Sequence, residues 1–88
     1  MVDYIREWKE EAQRAFSEYK QRDCGRNVYT KDTRCRRLEL VIIDCYLDFL
    51  CLTKGPKIAG NHRRYMRKGD RERKDEVRII INEWNLNN

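Results

Sequence analysis

The apolar run from Leu38 to Leu52 constrains the fold of this chain more than any other feature. Twelve of its fifteen residues are apolar, and it contains neither glycine nor proline. Because a β-strand typically spans only about 3 to 10 residues, a run of this length is predicted to form a helix of about four turns. Apolar side chains occupy almost every side of such a helix, so it is predicted to be packed by neighbours on two or three sides.

The charged residues of this helix give it a preferred orientation. At about 100° per residue, Arg37, Asp44 and Asp48 fall on one narrow stripe, whereas Glu39 lies on another face. The stripe is predicted to meet either water or a basic neighbour. Residues 57–74 carry dense positive charge and are predicted to fold back beside it. The acids also argue against a membrane span, which needs about 20 mostly apolar residues.

Helical periodicity extends through most of the remaining sequence. The predicted helices span residues 3–22, 33–53, 61–68 and 70–86. Their predicted caps are Asp3, then Asp32 or Thr33, then Asn61 and Asp70. Gly25 is predicted to end the first helix, and residues 27–31 to form a loop. The chain, residues 1–88, is therefore predicted to be a single all-α domain, a small bundle of three to four helices around the central apolar helix.

The last predicted helix has an alternative as a strand. Val77, Ile80, Ile81 and Trp84 recur at i, i+3, i+4 and i+7, which is the spacing of one apolar helix face. The letters VRIII within it would also suit a strand. Helix is the preferred interpretation.

Two glycines in the middle of the chain have the spacing of a phosphate-binding loop. Gly55 and Gly60 are five residues apart, but Asn61-His62 stands where such a loop needs a Lys-Ser/Thr pair. With Pro56 beside the first glycine, the segment is predicted to be a plain connector.

The four cysteines, at positions 24, 35, 45 and 51, contain no CxxC pair. The opening sequence, MVDYIREWKEE, lacks an apolar leader, so the chain is predicted to be cytoplasmic, in the host cytoplasm if it is viral, with reduced thiols. Cys45 and Cys51 point about 120° apart on one helix and cannot bond each other. Cys24 and Cys35 flank a short connection and could pair in an oxidising compartment, so their pairing stays open.

The sequence contains few residues that could carry out catalysis. The single histidine, His62, is expected to cap a helix or to be exposed. Asp44 and Asp48 share a helix face and could bind a cation, but no further acidic motif completes that site. A zinc site of His62 with the cysteines would require ligands that converge, and these positions diverge. We therefore expect no enzyme activity, no cofactor and no metal.

The segment from 54 to 74 carries nine bases and only two acids, with Tyr65 and Met66 among the bases. Such a segment can be a solvated or internally paired face, a surface for a protein partner, or a track for nucleic-acid phosphates. A helix-turn-helix fits poorly because the reading helix would open with four acids. Nucleic-acid binding, if it occurs, is expected to be directed at the backbone and not at specific bases.

The sequence therefore favours a small, non-enzymatic binding module or regulator that acts on a protein partner through a basic, aromatic-bearing surface. The predicted partner-binding residues are Arg34, Arg36, Arg63, Arg64, Tyr65, Arg67, Lys68, Arg71, Arg73, Lys74, Trp8 and Trp84. A nucleic-acid-binding protein using residues 54–74 is the first alternative, and a structural homodimer is the second. Regulators encoded by viruses and mobile elements have a similar size and charge, but no motif in the chain supports that analogy.

Overall fold

A computed structural model describes residues 3–26 and 33–87, and within these ranges the chain is all-α with no strand. The helices are α1 (Tyr4–Gln21), α2 (Thr33–Thr53), α3 (Pro56–Met66) and α4 (Asp70–Glu83). The all-α prediction is confirmed, and the VRIII segment is helical. The predicted loop at 27–31 and the predicted cap at Asp32 lie outside the described residues.

Helix α2 is the centre of the bundle, as predicted. In the described part of the chain it is the one helix that packs against each of the other three. Ile42 and Ile43 are fully buried, and Leu47 and Leu50 are nearly so. Arg36 lies at an exposed position in the first turns of this helix.

Helix α1 covers one side of α2 with its predicted apolar face. The Asp3 side chain caps its first turn by accepting a hydrogen bond from the Arg6 backbone N–H at 3.1 Å. Its buried residues are Ala12, Ala15, Phe16 and Tyr19. The predicted stop at Gly25 is wrong. Asp23 takes the left-handed conformation, with φ of 57°, directly after the C-cap, and aspartate tolerates this region better than most residues.

Helix α3 begins at Pro56, five residues before the predicted start at Asn61. The connector prediction for residues 55–60 is therefore wrong. Proline fits the first helical position because that position needs no N–H donor, and its fixed φ is already helical. Gly55 makes the turn between α2 and α3, with φ of +100° and its N–H donating to the Leu50 carbonyl at 3.0 Å.

Helix α4 packs with the predicted apolar stripe. Val77, Ile80 and Trp84 are buried, and Ile81 is partly buried. The Trp84 ring stacks on Phe49 with the centroids 5.2 Å apart. The cap is Gly69, so the predicted cap residue Asp70 is instead the first residue of the helix.

A disulfide joins Cys24 to Cys35, with their Cα atoms 5.4 Å apart. This corrects the expectation of reduced thiols. It ties the end of α1 to the first turn of α2. In the chain-entropy account, closing a loop of this length adds about 3 kcal/mol to the free energy of unfolding.

Cys45 and Cys51 are free and, as predicted, are not bonded to each other. Burial raises the pKa of the Cys45 thiol to about 12. None of the described helices is long and apolar enough to cross a bilayer.

Candidate partner-binding surface

A buried ionic cluster fixes α4 on the centre of the bundle. The Glu39 carboxylate on α2 is fully buried and accepts hydrogen bonds from Arg73 Nε at 2.9 Å, from Lys74 Nζ at 2.6 Å and from the Tyr19 hydroxyl at 3.3 Å. Lys74 Nζ also donates to the Cys24 backbone carbonyl at 2.9 Å. Burial, followed by the charge of Glu39, raises the pKa of Tyr19. The cluster therefore connects α1, α2 and α4 around a single carboxylate.

Arg73 extends this ionic cluster to Asp70, the first residue of α4. Its terminal nitrogen donates to Asp70 at 2.5 Å. This hydrogen bond holds the pKa of the Asp70 carboxyl below its ordinary value, and Arg36 and Lys74 add to the effect. Burial opposes the charge of Arg73, but its hydrogen bonds to Glu39 and Asp70 outweigh that burial and raise its pKa. The start of α4 is thus held at a fixed distance from α2.

Three of the predicted partner-binding residues are buried. Arg73 and Lys74 are 7% and 2% exposed, and both are engaged by Glu39. Trp84 is packed between Tyr46 and Phe49. All three were predicted to lie on an exposed surface. The two bases are buried because the carboxylate of Glu39 requires counter-charge, and Trp84 is buried because its ring packs on other aromatic rings.

The other predicted bases of the segment are exposed. Arg63, Arg64, Arg67, Lys68 and Arg71 all point to solvent, and within residues 3–26 and 33–87 none of them forms an ion pair. Tyr65 is exposed to 36%, and the Lys68 ammonium lies 5.6 Å from the centre of its ring. The structure brings these six residues together at α3 and at the turn that follows it, and together they form the α3 surface.

The prediction that the basic segment folds back along α2 is confirmed for α3, which packs on that helix. The charge of Arg63 opposes the rise in pKa that burial gives the Asp44 carboxyl. The expected pairing does not occur. Among the described residues neither Asp44 nor Asp48 forms an ion pair, and the carboxylate that engages two bases of the segment is Glu39.

His62 attaches α3 to α4. It was expected to be exposed or to cap a helix, but it is half-buried, and its Nδ1 forms a short hydrogen bond with the buried Glu76 carboxylate on α4. The ring also meets Tyr46 edge to face, with centroids 6.1 Å apart. This pair fixes the rotation of α3, so Arg64 is directed away from the bundle.

A groove of about 310 Å³ opens where the α3–α4 turn crosses α2. Arg36 and Leu40 line it from α2, and Met66 and Arg67 line it from the end of α3. Asp70 and Arg73, from the start of α4, complete its lining together with Gly69. Sequence periodicity did not predict this groove, although Arg36 and Arg67 were both predicted as binding residues.

The remaining predicted residues belong to the α1 side of the molecule. Arg34 holds α1 through two hydrogen bonds to the Glu18 carboxylate, at 2.5 and 2.7 Å, and this pairing lowers the pKa of Glu18. Trp8 is half-buried near the start of α1, where its ring stacks on Tyr4 with centroids 6.1 Å apart. Helix α1 does not pack against α3, so these residues form no part of the α3 surface.

No family model, curated protein or solved structure matches this chain. Within the described residues there is also no group of three or more histidine, cysteine, aspartate or glutamate side chains that could hold a metal ion.

Proposed function

We propose that this protein is a binding module that recognises an acidic surface on a protein partner through α3 and the turn after it. One observation carries the proposal. Seven of the nine bases between residues 54 and 74 are exposed, and none of these seven has an ion pair among the described residues. The two buried bases of the segment are matched by Glu39. The exposed charge is therefore surplus to the needs of the fold.

The support beneath this surface favours specific binding. The Glu39 cluster fixes α4, and the pair of His62 and Glu76 fixes α3 on α4. A surface that is rigid before binding loses less conformational entropy when a partner arrives. Arginines dominate it, and their planar guanidinium groups match carboxylates with two parallel hydrogen bonds. Tyr65 adds an aromatic ring of the kind that is enriched at protein interfaces.

A nucleic-acid ligand is the second candidate, and the same density of exposed bases favours it. The two ligands differ in their dependence on salt. Binding to phosphates releases condensed counterions, so affinity falls steeply and linearly on a logarithmic scale between low and moderate salt. A protein partner that also makes apolar contacts depends on salt less.

The test is charge reversal at Arg63, Arg64 and Arg67, each changed to Glu. A matched control reverses three bases of α1, Lys9, Arg14 and Lys20, and changes the net charge equally. Partners are captured from the source cells with and without nuclease, and the direct affinity of each purified partner is then measured. We expect the α3 variant to lose binding and the α1 variant to keep it. Equal binding by both variants would refute the proposal, and binding that disappears with nuclease would favour the second candidate.

A further inference from the structure

We infer that the groove formed by Arg36, Leu40, Met66 and Arg67 binds an acidic peptide segment that inserts one apolar side chain between its carboxylates. This inference rests on the proposed function and specifies the partner that the α3 surface recognises. It assigns the apolar side chain to Leu40 and Met66, and the carboxylates to the two arginines.

The floor of the groove is apolar and partly open to solvent. Leu40 is 37% exposed on α2, next to the buried Glu39 and the half-buried Val41. Met66, from the last turn of α3, packs against the core beneath the groove but remains half-buried. A thioether side chain adapts its shape to irregular partners, which suits a surface that receives another side chain. This floor can bury an apolar group of a ligand.

The walls of the groove are positively charged. Arg36, on α2, and Arg67, just after α3, both line the groove and are exposed, and neither forms an ion pair among residues 3–26 and 33–87. The one carboxylate in the lining, Asp70, already accepts a hydrogen bond from Arg73 at 2.5 Å. The field in the groove is therefore positive, and it complements acidic residues on either side of an inserted apolar residue.

The combination of floor and walls favours a peptide over a phosphate backbone. A phosphodiester chain would satisfy the two arginines but would gain nothing from covering Leu40 and Met66. An acidic peptide uses both features, because its carboxylates can form bidentate contacts with guanidinium groups while its apolar side chain leaves water. Charge complementarity and the exposed apolar floor thus point to the same occupant.

The Arg73 side chain ties the rim of the groove to the centre of the bundle. Arg73 connects Asp70 at its rim to the buried Glu39 through two hydrogen bonds. A preformed groove lowers the conformational cost of binding a short segment.

The inference is tested by titrating the oxidised, isotope-labelled full chain with three short peptides and following its backbone amide resonances. The peptides are Ac-EELEE-amide, Ac-EEAEE-amide and Ac-KKLKK-amide, and a five-nucleotide thymidine strand is the fourth ligand. We expect the leucine peptide to shift the amides of Leu40, Met66, Arg67 and Gly69. The alanine peptide should bind roughly tenfold more weakly, and the lysine peptide should not bind.

Variants place the binding at the groove. Leu40→Ser should weaken the leucine peptide to the level of the alanine peptide, and Arg67→Glu should abolish binding. Leu52→Ser is the matched control, because Leu52 is also an exposed leucine of α2, at 62%, but does not line the groove. Retained resonance dispersion in each variant establishes that it has folded.

Several results would overturn the inference. Equal affinity for the leucine and alanine peptides would exclude the apolar contact, and peptide-induced shifts confined to other regions would exclude the groove. Tighter binding of the thymidine strand at the same amides would make the ligand a nucleic acid. A captured partner that is lost on reversal of Arg63 and Arg64 but unaffected by Leu40→Ser would leave the proposed function standing while removing this refinement of it.

Discussion

Lys74 on α4 donates a hydrogen bond to the fully buried Glu39 on α2, with Nζ and Oε2 2.6 Å apart. The two residues are 35 positions apart in the chain, and both are sequestered from solvent. Bringing these charges out of water is unfavourable unless each finds partners inside, and Arg73, Tyr19 and the Cys24 carbonyl supply the remaining contacts. The pair therefore ties the position of α4, and with it the rim of the groove, to the centre of the bundle.

Removal of the Glu39 charge should be strongly destabilising. Glu39→Gln leaves Lys74 buried without a counter-charge and leaves Arg73 with Asp70 alone, so we expect the free energy of unfolding to fall by ~3 to 5 kcal/mol. Chemical denaturation followed by circular dichroism measures this change. Glu18→Gln is the control, because Glu18 accepts two hydrogen bonds from Arg34 in a more exposed position, where water screens the charges, and its loss should cost much less stability. Similar losses in the two variants would mean that the buried cluster contributes nothing beyond a surface pair.

The helices themselves were largely predictable from the sequence. The central helix was predicted from 33 to 53 and runs over that range, and the apolar stripe of α4 matches its predicted positions. The start of α3 was missed because Pro56 next to Gly55 was interpreted as a connector. That proline fits the first turn of a helix equally well, and only the packing of Ala59 in the core distinguishes the two cases.

The surface was less predictable than the helices. Local spacing identified the bases of residues 54–74 but could not separate those that face solvent from Arg73 and Lys74, which face Glu39. That distinction depends on contacts across 34 and 35 residues of sequence, and helical periodicity carries no information about them. The solitary carboxylate on a different face of α2 from Asp44 and Asp48 was the available signal. A buried Glu39 requires basic partners, and the largest surplus of bases lay in this segment.

Two aspartates should give opposite responses of stability to pH. The pKa of Asp70 is lowered by Arg73, so its contribution is present at neutral pH and is lost as the pH falls through the lowered value. Asp70→Asn should therefore reduce the melting temperature at pH 7 and have little effect in strong acid.

The pKa of Asp44 is raised, chiefly by burial, so its charged form opposes folding above that raised value. Asp44→Asn should increase the melting temperature at pH 7, and the gain should vanish below about pH 3.8. Changes of the same sign would contradict the assigned environments.

The disulfide should stabilise the chain substantially. Reduction of the Cys24–Cys35 bond by a dithiol, or the double change of both cysteines to Ala, should lower the free energy of unfolding by about 3 kcal/mol, because the unfolded chain regains the freedom of the closed loop. Denaturant titrations with and without reductant measure the difference. The double Ala variant should no longer respond to reductant, and Cys51→Ser, at an exposed free thiol, should behave like the original protein. A full response to reductant in the double Ala variant would place the effect elsewhere.

The contact between His62 and Glu76 should control how firmly α3 is held on α4. Glu76 is 2% exposed, and among the described residues His62 is its hydrogen-bonding partner. His62→Ala leaves a buried carboxylate without that partner, so we expect a loss of ~1 to 3 kcal/mol in the free energy of unfolding. Hydrogen exchange of the α3 amides should accelerate more than that of the α2 amides, because α3 loses its attachment while the core keeps its packing.

A double variant of His62 and Glu76 distinguishes the loss of their hydrogen bond from the loss of the imidazole ring. If the cost arises from the unpartnered carboxylate, His62→Ala combined with Glu76→Gln should recover part of the stability, since a neutral amide is less costly to bury than a charge. Asn61→Ala, at the exposed neighbouring position, should change neither stability nor exchange. Failure of the second substitution to recover any stability would indicate that His62 acts through its edge-to-face packing on Tyr46 instead. In either case, loosening α3 should weaken partner binding without altering the charge of its exposed face, because a mobile surface has more conformational entropy to lose on binding.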